Sequence, residues 1–146
     1  MNMTHLRGRR AVLLEETIME WYLKVLRNYA VFSGRARRME YWMFALINMV
    51  IIFGLNILSG LFGSSDDGGS MASSFLGGLY GLAVLLPSLG VIIRRLHDTG
   101  RSGWYYLWIF VPLIGVILVL IALVKDSDPG ENKYGPNPKQ DTVGSL

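Results

Sequence analysis

Three apolar runs of 21 to 23 residues, Tyr41 to Phe62, Met71 to Ile93 and Trp104 to Val124, contain no Asp, Glu, Lys, Arg or His and are separated by short polar breaks. At ~1.5 Å rise per helical residue each reaches ~31 to 35 Å, against a bilayer hydrocarbon core of ~30 Å, so each predicts one crossing. The core helix of a soluble domain exposes one face and takes polar residues every third or fourth position, whereas these runs are apolar all round. The expected fold class is all-α: an integral membrane bundle of three transmembrane helices preceded by an amphipathic interfacial helix.

The charges between the runs predict an orientation. Residues 1 to 40 hold eight Lys/Arg against four acids, residues 63 to 70 none against two, residues 94 to 103 three against one, and the tail from Lys125 three against four. Lys and Arg accumulate on the cytoplasmic side, so the N-terminus and the Arg94 to Gly103 connector are expected inside and the Gly63 to Ser70 loop outside. Three crossings would leave the tail outside. Pro112 and Gly115, in the middle of the third run, supply the alternative: a re-entrant hairpin that returns the tail to the cytosol.

Ala11-Val12-Leu13-Leu14 is too short for the ~7 to 15-residue apolar region of a signal peptide, so no cleavage is expected. Residues 1–18 carry no readable motif and are read as a disordered extension or a misplaced start before Met19. Residues 19–138 are expected to form one membrane domain, with 139–146 a flexible tail. Within it, Trp21, Tyr22, Val25, Leu26 and Tyr29 share one side of a helix and Lys24, Arg27 and Asn28 the other. That pattern fits a helix lying at the membrane surface, or one packed on the cytosolic ends of the spans.

Two basic motifs follow. In Ser33-Gly34-Arg35-Ala36-Arg37-Arg38-Met39-Glu40-Tyr41-Trp42 the arginines sit at headgroup depth, and Tyr41 and Trp42, with Trp21 and Trp104, are expected as interface anchors. Glu40 beside a span is costly unless paired, so it is expected to contact Arg94 or Arg95. In Arg94-Arg95-Leu96-His97-Asp98-Thr99-Gly100-Arg101-Ser102-Gly103-Trp104 the arginines complement the helix dipole, Gly100 can supply a left-handed cap, and Ser102 can cap the next helix. A sharper reading makes His97, Asp98 and Arg101, with Arg35 and Arg38, a site for phosphate or another anion. Anchoring to anionic lipid explains the same residues at a cytoplasmic membrane face.

Catalytic and metal chemistry find little support. The 146-residue chain has no cysteine and two distant histidines, and adjacent His97 and Asp98 point about 100° apart on a helix. No cofactor and no metal site is expected. Asp126, Asp128 and Asn132 lack the Gly and closing Glu of a calcium loop. In the bilayer, Asn48, Asn56 and Ser59 share one side of the first run, and Ser73, Gly77 and Gly81 recur every four residues as a small-residue stripe for close helix packing, within the chain or against a second copy. Pro87 should bend the second helix.

Met19-Glu20-Trp21-Tyr22-Leu23-Lys24-Val25-Leu26, the Gly34 to Trp42 and Arg94 to Trp104 motifs, and Pro129-Gly130-Glu131-Asn132-Lys133-Tyr134-Gly135-Pro136 together resemble the domain-of-unknown-function 805 family, small bacterial inner-membrane proteins of the YhaH and YhaI type. The likeness covers residues 19 to 138. It implies a bacterial inner-membrane location and one domain, and it supplies no reaction. The extension before Met19 and Tyr105, where a second Trp is common, depart from the pattern. If Asn132, Tyr134 and Gly135 belong to the same site as Arg35, Arg38, His97 and Asp98, the tail must share their side of the membrane.

The leading expectation is a non-enzymatic module that binds anionic lipid headgroups, or a membrane-protein partner or second copy, through Arg35, Arg38, Glu40, Arg94, Arg95, His97, Asp98 and Arg101, with no nucleic-acid partner. The alternatives are a small transporter using Asn48 or Asn56, and an enzyme acting on a lipid or phosphate group at His97 and Asp98.

Overall fold

The computed structural model describes residues 18–62 and 69–139, and side chains outside 62–73. The expected extension up to residue 17, most of the Gly63 to Ser70 loop, the tail after Lys139 and the side chain of Ser73 lie outside the described residues.

Among the described residues the chain is helical, without strands. Helix α1 runs from 18 to 27, α2 is Arg38–Phe62, α3 is Gly69–Asp98, a 3-10 segment covers Gly103–Phe110, and α4 is Ile114–Val124. Two helices, α2 and α3, are long and apolar enough to cross a membrane. At ~1.5 Å per residue their 25 and 30 residues extend ~37 and ~45 Å. They pack antiparallel, so the start of α2 lies beside the end of α3.

Burial is concentrated at that end. Val25 of α1, Ala36, Phe44 of α2 and Val91 of α3 form a fully packed cluster, with Tyr22, Leu26 and Tyr41 against it. The Tyr22 and Phe44 rings stack at 5.3 Å. Of the two placements the α1 pattern allows, the helix therefore takes the packed one. Further out, residues 49–61 of α2 and 74–86 of α3 are exposed or half-exposed along their length. A Cβ at Gly77 or Gly81 would meet nothing within 4 Å, so these two glycines of the small-residue stripe make no close helix contact among the described residues. The approach of the two helices is set instead by Asn48, which takes a 2.5 Å hydrogen bond from Tyr80 Oη while its own amide donates to Phe44 O at 2.7 Å. Asn56 donates to Ile52 O of its own helix at 2.7 Å.

Pro87 deprives the Ala83 carbonyl of its helical donor. The Tyr29 hydroxyl donates to that oxygen. The linker that carries Tyr29 lies close against α3 because residue 90 is glycine: a Cβ there would stand 3.1 Å from Val31 O.

The third apolar run is not one continuous helix, so the expected third spanning helix is not seen among the described residues. Val111, restricted by the proline that follows, is extended at φ −87° and ψ 108° and ends the 3-10 segment. Leu113 then takes φ 64° and ψ −68°, and Ile114 N donates to Pro112 O at 2.8 Å, closing a positive-φ γ-turn that few residues tolerate. Gly115 completes the fold-back, since a Cβ there would fall 1.6 Å from Trp108 O. Each arm of this hairpin measures ~16 Å, about half the ~30 Å core. Both feet stand at the end of α3: Gly103 packs on Ile93, and the carbonyls of Leu123 and Lys125 accept from Arg95.

Candidate functional site

The end of α3 is built for a sharp stop. Gly100 (φ 72°) donates to His97 O at 3.0 Å and Arg101 N to Leu96 O at 3.0 Å, a Schellman cap that closes the helix immediately after Asp98. Glycine suits this position because its φ lies in the left-handed region that side chains rarely adopt, and a Cβ there would also stand 2.6 Å from Asp128 Oδ2.

Asp98 is the centre of a buried polar cluster. Its Oδ1 accepts from Arg35 Nε at 2.9 Å, and its Oδ2 from Arg95 Nη1 at 2.5 Å and Ser127 Oγ at 2.6 Å. Its backbone oxygen accepts from Asp128 N at 2.9 Å. The side chains of Arg35, Arg95 and Asp98 are 1%, 0% and 0% exposed. Arg35 completes its donors on the tail, at Gly130 O (2.7 Å), Asp128 O (2.7 Å) and Gly135 O (3.2 Å). Arg95 completes its own on α4, at Leu123 O (3.1 Å), and on Lys125 O. One carboxylate thus joins the N-terminal linker, α3, the hairpin and the tail. Pairing, together with hydrogen bonds to the remaining donors and acceptors, offsets the cost of taking these charges out of water.

A second pairing lies beside it. Arg94 Nη1 donates to Glu40 Oε1 at 2.6 Å, and Lys24 Nζ stands 3.3 Å from Glu40 Oε2. The pairing of Glu40 with Arg94 follows the expectation from sequence; Arg95 pairs with Asp98 instead. Arg94 O also accepts from Ala36 N at 2.9 Å, which holds the linker to α3.

The tail crosses this face as a strap. The His97 and Tyr134 rings stack at 3.8 Å and 5° between planes, His97 Nδ1 lies 3.2 Å from Gly34 O, and Asn132 Nδ2 donates to His97 O at 2.9 Å. Arg37 donates to Pro138 O, 2.8 Å from its Nε. Lys139 and the Ser127 N–H both donate to Asp126, whose carboxyl they hold below its ordinary range. The tail residues Asn132 and Tyr134 therefore meet His97 and Gly135 meets Arg35, so the hairpin sets the tail and the two basic motifs at one end of the molecule.

The anion site read from the sequence changes character as a result. Arg35, Arg95 and Asp98 satisfy one another and the tail backbone, so they hold the fold together and present no open donor to a ligand. Arg38 is exposed, and Arg101 lies with its guanidinium 5.1 Å over the Tyr105 ring. Among the expected anchors, Trp104 is 79% exposed, Trp42 meets Tyr41 edge-on at 5.1 Å, and Trp21 lies under Lys24 and Arg37. Sequence reading missed Ser127, Asp128, Tyr29 and the acceptor carbonyls of the tail. A backbone oxygen leaves no residue signature, and Ser127 resembles any loop serine until the hairpin sets it beside Asp98.

A family model described as "Protein of unknown function (DUF805)" matches residues 29–136. The inner membrane protein YhaH of Escherichia coli (strain K12) is 46% identical over 121 residues, covering 83% of this chain and 98% of its own length. The inner membrane protein YhaI of the same organism is also 46% identical over 121 residues, covering 83% and 97%. A more distant relative, the uncharacterized protein YiiR, is 26% identical over 147 residues. No solved structure matches significantly. With its paired arginines, its Asp98 cluster and the tail as far as Pro136 inside the matched segment, the chain belongs to the DUF805 family of membrane proteins.

Proposed function

We propose that this protein is a two-pass protein of the bacterial inner membrane with α1, the α3–hairpin connector and the tail in the cytosol, and that it binds anionic phospholipid headgroups without catalysing a reaction. The hairpin then enters the inner leaflet from the cytosolic side and returns. The observation that supports a binding role is the charge left over after the buried pairs close: Arg27, Arg38 and Lys133 are exposed at the same end as Trp21, Trp42 and Trp104. Cations at a cytosolic surface gain about 1 kcal/mol each from an anionic leaflet, and indole rings favour the headgroup level. Against a chemical role, Asp98, the acid next to a histidine, has both carboxylate oxygens engaged by Arg35, Arg95 and Ser127.

Native mass spectrometry of the full chain released from nanodiscs tests this reading. The expected result is preferential retention of phosphatidylglycerol over phosphatidylcholine. Replacing Arg27 and Arg38 with Gln should reduce that preference by roughly five-fold per residue, the equivalent of about 1 kcal/mol. Equal retention of the two lipids overturns it.

A further inference from the structure

One face of α2 is covered by no other part of the described chain. The hairpin packs on α3 and α1 on the start of α2, which leaves Met49 and Ile52 61% and 47% exposed. Ala45, Met49, Ile52, Asn56 and Ser59 follow one another at spacings of four, three, four and three, the a/d repeat by which two parallel helices mesh. Around Met49, Ile52 and Asn56 this face is hollowed into a groove of about 460 Å³ walled by α2 alone. Past Asn56 a second hollow, of about 160 Å³, lies between Ser59 of α2 and Gly77 of α3.

Asn56 singles this stripe out among the apolar faces of α2. Counted from Tyr41 it lies ~22 Å along the helix, inside the ~30 Å hydrocarbon core. Its amide donates to Ile52 O at 2.7 Å, and among the described residues its side-chain oxygen accepts no hydrogen bond. A polar group without a partner in hydrocarbon is costly, and an acyl chain lying in the groove offers it neither donor nor acceptor. With the orientation that the two-pass reading gives every copy, two chains side by side meet at equal depth, so Asn56 faces Asn56. A carboxamide is its own complement: the second N–H of each side chain donates to the oxygen of the other.

We infer that α2 pairs with α2 of a second copy, parallel and two-fold symmetric, along Ala45, Met49, Ile52, Asn56 and Ser59, with the two Asn56 side chains hydrogen-bonded across the axis. One polar a position fixes the register of such a pair, because any slip draws the amides apart. The short side chains of Ala45 and Ser59 let the helices approach at both ends of the stripe. Because the contact is the same patch on both copies, it closes at two and leaves no further surface to propagate.

The chain has no cysteine, so single cysteines report the contact. In inner-membrane vesicles holding the full chain, oxidation should link Met49→Cys or Ile52→Cys into a disulfide-bonded homodimer. Val50→Cys and Leu58→Cys, at exposed positions on the far side of α2, should stay monomeric, since their sulfurs are out of bonding range. Asn56→Leu loses only a bond within its own helix, so the fold is kept. In phosphatidylcholine liposomes, where lipid charge plays no part, it should raise the dimer dissociation constant roughly five- to thirty-fold, read as energy transfer between tagged copies. Asn56→Gln should restore most of the association. Linking at Val50 or Leu58 as fast as at Met49, or no homodimer from any of the four, overturns the pairing while leaving the headgroup reading untouched. A cross-link from Met49→Cys to a different protein puts another chain in the groove and also overturns it, as does energy transfer unchanged by Asn56→Leu.

Discussion

The Tyr29 hydroxyl donates to the carbonyl oxygen of Ala83, the acceptor that Pro87 leaves without its helical partner. A proline inside a spanning helix frees a polar group where water is scarce, and here a side chain from outside the helix satisfies it. The linker after α1 is thereby tied to the middle of α3. Tyr29→Phe keeps the ring and removes the donor, and should lower the unfolding free energy in mixed micelles by about 1–2 kcal/mol. In a Pro87→Ala background the helix regains its own N–H, so the same substitution should cost nearly nothing. Equal penalties in the two backgrounds would show that the hydroxyl has another role.

Asp98→Asn should be the most damaging isosteric change in the chain. It removes the charge that compensates two buried guanidiniums, a loss of about 3–5 kcal/mol when a buried pair is broken. Because Arg35 and Ser127 also hold the tail, limited proteolysis after Lys133 should accelerate in this variant. Ser127→Ala removes one donor and should cost about 1 kcal/mol, with a smaller gain in cleavage.

The hairpin makes a topological prediction. A green fluorescent protein fused after Leu146 should fluoresce in bacterial cells, whereas alkaline phosphatase fused there should be inactive; the phosphatase inserted between residues 63 and 68 should be active. Active phosphatase at the C-terminus would mean that the third apolar run crosses the bilayer after all.

Glycines separate packing from mere composition. Gly115→Ala places a Cβ 1.6 Å from Trp108 O, so the hairpin must open and the amount of folded protein in the membrane fraction should collapse. Gly81→Ala meets nothing within 4 Å and should be neutral or stabilising by up to about 1 kcal/mol through helix propensity. Thermal unfolding of both variants in detergent checks the contrast.

The His97–Tyr134 stack is worth about 0.5–1.5 kcal/mol as an aromatic pair. Tyr134→Ala should therefore loosen the tail, seen as faster amide hydrogen exchange at residues 130–136, while Tyr134→Phe should leave exchange near that of the parent. Unchanged exchange in Tyr134→Ala would leave Arg35 as the main fastening of the tail.

The amino-acid order by itself determined that α2 and α3 are apolar on every side and long enough to cross a bilayer, that Glu40 needs an arginine, and that the chain must stop and turn at Gly100. Those properties are local: they follow from hydropathy over one helix length, from the cost of a lone buried acid, and from a single positive-φ position. The path of the third apolar run was a different matter. Composition allowed a spanning helix and a fold-back alike, and the choice was made by the steric fit of Leu113 and Gly115 against the 3-10 segment. Once that choice brings the tail home, Arg35 and Arg95 turn inward to Asp98 and to backbone carbonyls of residues about 30 to 100 positions away. Such partners exist only after the chain has closed on itself, which is why tertiary structure alone could assign the arginines to the interior or to the surface.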